Sequence, residues 1–280
     1  MDFWTRLLQI MDMRMETPGL FGWFHLLWLG ITAGTAVVLC VFGRKWSHKT
    51  VCNILLGTAI TVIVLEVYKQ INYTFGDGSS APSYQWYAFP WQFCSTPMYV
   101  GLLAGICRKG KLHDALCAYL ATFGMFAGLA VMLYPGDVFI ETVGINIQTM
   151  VCHGSMVVIG IYLFGSGHVQ LAHKTVLKAV PVFAVAVGVA MVLNALAYNA
   201  GIADFNMFYI SPHCDPHLPV YSLVQEKVPY PASLVIYILG FTVAAYAVLL
   251  LVMLLGGKCL VRKDVVARKA HHKAISKAGM

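Results

Sequence analysis

The chain has 280 residues, of which 59% are hydrophobic and 11% charged, with a mean hydropathy of +0.72. A soluble domain carries roughly 25% charge to keep its surface wetted, so a soluble enzyme is excluded and a compact membrane bundle remains. The net charge of +7 does not point to nucleic acid, because seven of the 19 Lys and Arg residues stand in 258–277, where a basic tail follows the last apolar run beside an anionic leaflet.

Residues 1–18 lack a basic stretch ahead of a clean apolar core, so no cleavable leader is expected and 1–19 reads as an interfacial segment. Apolar runs follow at 20–43, 51–70, 88–107, 113–134, 147–164, 175–199 and 232–256. A hydrocarbon core about 30 Å thick needs roughly 20 apolar residues per crossing. Spanning segments must also satisfy their backbone internally, and a barrel would need shorter alternating strands. The expected fold is an all-α polytopic membrane bundle of seven transmembrane helices over 20–257, with a basic cytosolic tail at 258–280. Fifteen of the 19 basic residues fall on one side: Arg44, Lys45, Lys49, Arg108, Lys109, Lys111, Lys174, Lys178 and the tail. Arg6, Arg14, Lys69 and Lys227 fall on the other. The positive-inside rule makes the richer side cytosolic and the N-terminus external. The acidic loop residues Asp77, Asp137, Glu141, Asp204, Asp215 and Glu226 all fall outside.

Polar groups inside apolar helices are costly and are functional candidates. In chain order they are His25 in the first run, Glu66 near the end of the second, and Gln92, Cys94, Ser95 and Thr96 early in the third. His153 follows in the fifth, and Asn194 and Tyr198 stand four apart in the sixth. At 1.5 Å per residue all lie roughly 3 to 12 Å below the outer boundary, which describes one cavity in the outer half of the bundle. Within it Cys94 and His153 form a candidate nucleophile and base. A thiol attacks as the thiolate, which a histidine or a helix N-terminus favours. Pro90 is expected to open the third helix, and Pro97 to bend it beside the thiol. His25 can bind a head group, orient His153 or satisfy Glu66. Glu66 is expected to pair with Lys69 or His25. Asn194 and Tyr198 either bind substrate oxygens or join helices. The eight cysteines show no CxxC pair, so no metal and no cofactor is expected. His213, Cys214, Asp215 and His217 resemble ligands, but Pro212 and Pro216 break their geometry and a lid over the mouth is preferred. Asn72-Tyr73-Thr74 is a glycosylation sequon on the outer side.

The stretch around His25, the run Phe89-Pro90-Trp91-Gln92-Phe93-Cys94-Ser95, the run Cys152-His153-Gly154-Ser155, Asn194 and Asn206-Met207-Phe208-Tyr209 carry a resemblance. Over most of its length the chain resembles the YwaF-like bacterial integral membrane proteins, whose relatives include a eukaryotic ether-phospholipid acyltransferase. More distantly it resembles the androgen-induced membrane hydrolases of fatty-acid esters. That family usually has His where Gln92 stands here, which leaves Cys94 in place. The resemblance implies a lipid acyltransferase or acyl hydrolase of the bacterial cytoplasmic membrane. Cys94 would form a thioester with His153 as base, on a phospholipid or fatty-acid ester. Ser95, Thr96, Asn194 and Tyr198 are the expected oxyanion donors. Donor, acceptor, transfer against hydrolysis and oligomeric state stay open. The rival reading is a transporter or a lipid- or ion-binding bundle, whose site is expected nearer the midplane. A seven-helix receptor is a third, for which no long signalling loop is present.

Overall fold

A computed structural model describes residues 3–76, 82–136, 138–215 and 218–278. The expected acidic loop residues Asp77 and Asp137, and Pro216 and His217 of the outer loop, lie outside the described residues. The elements are helical throughout, in the order α1 Phe3–Met11, α2 Trp23–Phe42, α3 His48–Phe75, α4 Thr96–Ile106 and α5 Gly110–Tyr119. A π turn, Leu120–Gly124, joins α5 to α6 Met125–Leu133, and α7 Val143–Gly165, α8 Lys174–Asn199, α9 Pro219–Gln225 and α10 Tyr230–Ala278 complete the chain. Among the described residues six helices, where seven were expected, are long and apolar enough to cross a membrane, with Gly110–Leu133 counted as one; the remaining run holds the shorter helix Thr96–Ile106. The most apolar windows of Gly110–Leu133 and Val143–Gly165 are 72% and 78% buried, against 11% to 33% in the other four, so these two form the centre. Around them α2 and α3 flank α7, α3 packs on α4, and α8 packs on α5.

Glycines let the central helices approach closely, as membrane bundles require where no hydrophobic force draws helices together. A Cβ on Gly128 of α6 would stand 2.6 Å from the His153 carbonyl oxygen on α7, and one on Gly160 would meet the Met125 side chain. The two ends of the bundle are closed differently. At the basic end, the Tyr162 hydroxyl donates to the Gly43 carbonyl (3.1 Å), and the Arg108 guanidinium donates to Asn53 Oδ1 (3.0 Å). At the opposite end the Tyr68 hydroxyl donates to the Met11 carbonyl, and the Met15 amide donates to the Glu141 carbonyl. Asn72 Nδ2 also donates to Met11 and the residue is 5% exposed, so the sequon asparagine is engaged in packing.

The segment expected as a helix over 88–107 is helical only from Thr96 to Ile106. Pro97 is the cause. A proline lacks the amide that would bond the carbonyl four residues back, and the first helical turn is the position where that loss costs nothing. Pro97 therefore starts a helix where it was expected to bend one. Residues 89–95 run as a turn-rich connection, with Trp91 bonded to Phe89, and Ser95 and Thr96 both donating to the Gln92 carbonyl. Irregular backbone at membrane depth is tolerated where protein surrounds it. Phe93 anchors the connection among Phe126, Phe183, Phe208 and Phe241.

Candidate functional site

Cys94 lies in this irregular connection, half-buried, just ahead of the N-terminus of α4. Ser95 follows it, and the Ser95 amide donates to the Gln92 carbonyl at 2.8 Å. His153 lies in the buried middle of α7. Its Nδ1 bonds the Thr149 carbonyl at 2.7 Å, the ordinary i to i−4 reach for a histidine in a helix. A carbonyl can only accept, so Nδ1 carries the proton and Nε2 presents a lone pair. Nε2 is buried and has no hydrogen-bond partner. No hydrogen bond joins it to Cys94. Cys152 precedes His153 in α7. It accepts from Gln148 Nε2 at 3.3 Å and packs against Val62 and Met98.

Glu66 is 7% exposed and accepts from Lys69 Nζ (2.8 Å) and Gln70 Nε2 (2.7 Å). Of its two expected partners Lys69 is the one found. Gln70 also donates to the Ala88 carbonyl at 2.7 Å, tying α3 to the chain leading into Cys94. His25 is fully buried and touches neither Glu66 nor His153. Its Nδ1 accepts from the Phe21 amide (3.0 Å), and its Nε2 donates to the Met132 carbonyl (2.8 Å). Phe21 has a positive φ of 57°, and α6 ends just past Met132. His25 thus satisfies two backbone groups that the start of one helix and the end of another leave open.

Gln92 and Asn194 serve one loop. Asn194 Oδ1 accepts from the Met207 amide (2.7 Å) and its Nδ2 donates to the Met207 carbonyl (3.0 Å). Gln92 donates to the Asn206 carbonyl (3.0 Å) and accepts from the Phe208 amide (2.9 Å). Met207 and Phe208 are fully buried, and Phe208 and Tyr209 have positive φ. A loop driven this far into the bundle needs partners for its backbone, and these two amides supply them. Both side-chain amides clamp the loop, so Asn194 takes the structural of its two expected roles in this arrangement. Thr96 donates to the Phe93 carbonyl (2.8 Å) and is bonded to the Tyr119 hydroxyl (2.6 Å). Tyr198 is exposed and stacks on His213 at 3.6 Å, in an outer pocket with Cys214. Of the expected oxyanion donors, Ser95 remains beside the thiol. Sequence reasoning passed over Asn206: its Oδ1 accepts from Ser211, but its Nδ2 is buried without a partner. The run Asn-Met-Phe-Tyr in an otherwise polar loop was the sign that the loop turns inward.

Two further features stand in the bundle, and Cys94 and His153, expected to line one cavity, line neither the cavity nor the crevice described next. A cavity of about 30 Å³ is lined by Pro97, Met98, Gly124, Cys152 and Ser155 among others. It shares Thr58, Ser155 and Ile159 with a larger crevice of about 310 Å³ between α2, α3 and α7, walled by Trp28, Ile31, Ile54, Met150 and Val158. At the basic end, His48, Cys52 and His113 bring their ligand-type atoms within 4.8 Å of one another. Sequence reasoning missed that cluster, although the spacing His-x3-Cys occurs in both 48–52 and 113–117.

No curated protein and no solved structure matches the chain. The model of the TMEM164 family matches residues 20–253, the whole bundle from α2 into α10. With its six long apolar helices, this multi-pass membrane protein belongs to the TMEM164 family.

Proposed function

We propose that this protein is a membrane-embedded lipid acyltransferase or acyl hydrolase that works through a thioester on Cys94, in line with a relationship to the YwaF-like proteins. The observation that carries the reading is the bare, buried Nε2 of His153, with its tautomer fixed by Thr149. A buried polar atom without a partner requires an explanation, and a general base waiting for a proton is one. The chemistry takes two steps. His153 Nε2, directly or through one water, takes the Cys94 proton as sulfur attacks the ester carbonyl. The carbon–oxygen bond breaks, His153 returns the proton to the departing alkoxide, and the acyl group remains as a thioester. A second alcohol or water, deprotonated by the same nitrogen, then attacks the thioester, and the thiol is restored. Asn206 Nδ2 and the Ser95 hydroxyl are the free donors suited to the oxyanion.

The substrate is a phospholipid or fatty-acid ester. The crevice between α2, α3 and α7 is apolar, and its 310 Å³ fits much of an acyl chain. It meets the small cavity beside Pro97, three residues after Cys94. A transporter would need a polar path to the basic end, but Phe123, Tyr162, Leu163 and Ala179 fill that half with no exposed surface. Placing the thiol on the outer side, with the basic end cytosolic, follows from the charge distribution. The test is acyl release from a phospholipid by the purified protein. Wild type should release fatty acid or transfer it to an added alcohol, and Cys94→Ala and His153→Ala should not. Release that survives Cys94→Ala would refute the thioester.

A further inference from the structure

At the basic end, α3 and α5 each begin with the same pair. His48 and Cys52 stand four residues apart on α3, and His113 and Cys117 four apart on α5, so each pair shares one helix face. The two faces meet. His48 and His113 have ring centroids 5.0 Å apart at 75°, and the ligand-type atoms of His48, Cys52 and His113 lie within 4.8 Å of one another. Cys52 Sγ is 3.5 Å from His48 Nε2, and Cys117 Sγ is 3.4 Å from His113 Nε2. We propose that His48, Cys52 and His113 bind one zinc-class divalent cation that joins α3 to α5, with the fourth position left to solvent beside the exposed His48.

Three observations carry this. The distances fit: an ion with nitrogen at about 2.05 Å and sulfur at about 2.3 Å in a tetrahedron sets neighbouring ligand atoms roughly 3.5 Å apart. The tautomer fits as well. His113 Nδ1 bonds the Ala104 carbonyl at 3.0 Å, so it carries the proton and Nε2 turns a lone pair toward Cys117. A backbone carbonyl behind a ligating imidazole is the arrangement that orients histidines on metals. The charge fits too. The Cys52 thiol gives up its proton on binding, and its thiolate offsets half the charge of a divalent cation at a position with 0% exposure. A hard cation such as magnesium would find no oxygen ligands here, whereas a mixed nitrogen and sulfur set selects zinc and its soft neighbours.

His48 is exposed, so the ion has a way in from solvent. His48 Nε2 touches the Arg108 carbonyl, a contact that coordination would replace. A third imidazole, His168, stacks on His48 at 5.6 Å and 13°, and bonds Ser166 at 3.0 Å, supporting the His48 ring from the α7–α8 connection. The site lies at the opposite end of the bundle from Cys94. It would staple helix starts together and does not enter the acyl chemistry.

Cobalt(II) in place of zinc gives the test, since each thiolate adds sulfur-to-cobalt charge transfer. The full-length protein in detergent, freed of metal with a chelator, should take up one cobalt per chain and show tetrahedral absorption that zinc bleaches. The variant Cys52→Ser should lose the charge-transfer intensity, and Cys117→Ser and Cys107→Ser should keep it. Bound zinc should also protect Cys52, but not Cys107, from alkylation in the wild type, a readout that needs no variant to fold. Absence of the band in folded wild-type protein, or a band that survives Cys52→Ser, would overturn the site in favour of plain thiol–imidazole hydrogen bonds.

Discussion

At the scale of single residues, two histidines that look alike in the sequence have opposite environments. Both are buried in apolar helices, yet His25 has both nitrogens bonded and His153 has one bare. His153→Ala should lower acyl release by about 10² to 10⁴-fold, the usual contribution of a positioned general base, with little change in thermal stability. His25→Ala should do the reverse. It leaves the Phe21 amide and the Met132 carbonyl unpartnered, at about 1–3 kcal/mol for each buried group left so. It should therefore lower the melting midpoint in detergent more than the rate of the surviving folded protein. An equal loss of activity in both variants at unchanged stability would remove the distinction. Asn206→Ala removes the free amide donor near the clamped loop and should slow the reaction by on the order of 10²-fold. Sequence depth alone placed His25, Cys94 and His153 in one layer. It could not reveal which nitrogens were taken, because that depends on carbonyls such as Met132, more than a hundred residues away.

At the scale of elements, the segment that carries the chemistry is the least regular one. Apolar composition over 88–107 reads as a helix, but Pro97 fixes the helix start at Thr96, and Cys94 is left on a turn. The prolines were plain in the sequence. What was not plain is that Gln92 and Asn194 would be engaged by a loop from 206–208, since a long-range clamp leaves no periodic mark. The crevice between α2, α3 and α7 makes its own prediction. Ser155 borders both it and the small cavity. Ser155→Phe should reduce turnover of long-chain esters severalfold while leaving short-chain esters nearly unaffected, as a chain-length series would show. Equal loss on both would move the acyl site elsewhere. Gly128 is a matching structural control: Gly128→Val would drive α6 away from the His153 carbonyl, 2.6 Å from its Cβ, and should destabilise the bundle as well as the site.

At the scale of the whole molecule, composition alone fixes an all-helical membrane bundle, and the observed helices follow the expected runs to within a few residues, except for the 88–107 segment and for α10, which continues past 256 to Ala278. Charge counting separates a basic end from an opposite end, and the bundle gathers them as such: Arg44, Lys45, Lys49 and Arg108 flank helix ends where Tyr162, His48 and His168 also meet. The His48, Cys52 and His113 cluster at that end was hidden because His113 stands 61 residues after Cys52 and no rule of local spacing joins them. The acyl-transfer reading depends on the other end. Its most direct test is the intact mass of the wild-type protein after incubation with a phospholipid, followed by mapping of any adduct. The account predicts one added acyl chain on the peptide containing Cys94, removed by hydroxylamine, absent in Cys94→Ser and retained in Cys152→Ser. No adduct in protein that turns lipid over, or an adduct mapped to Cys152, would contradict it.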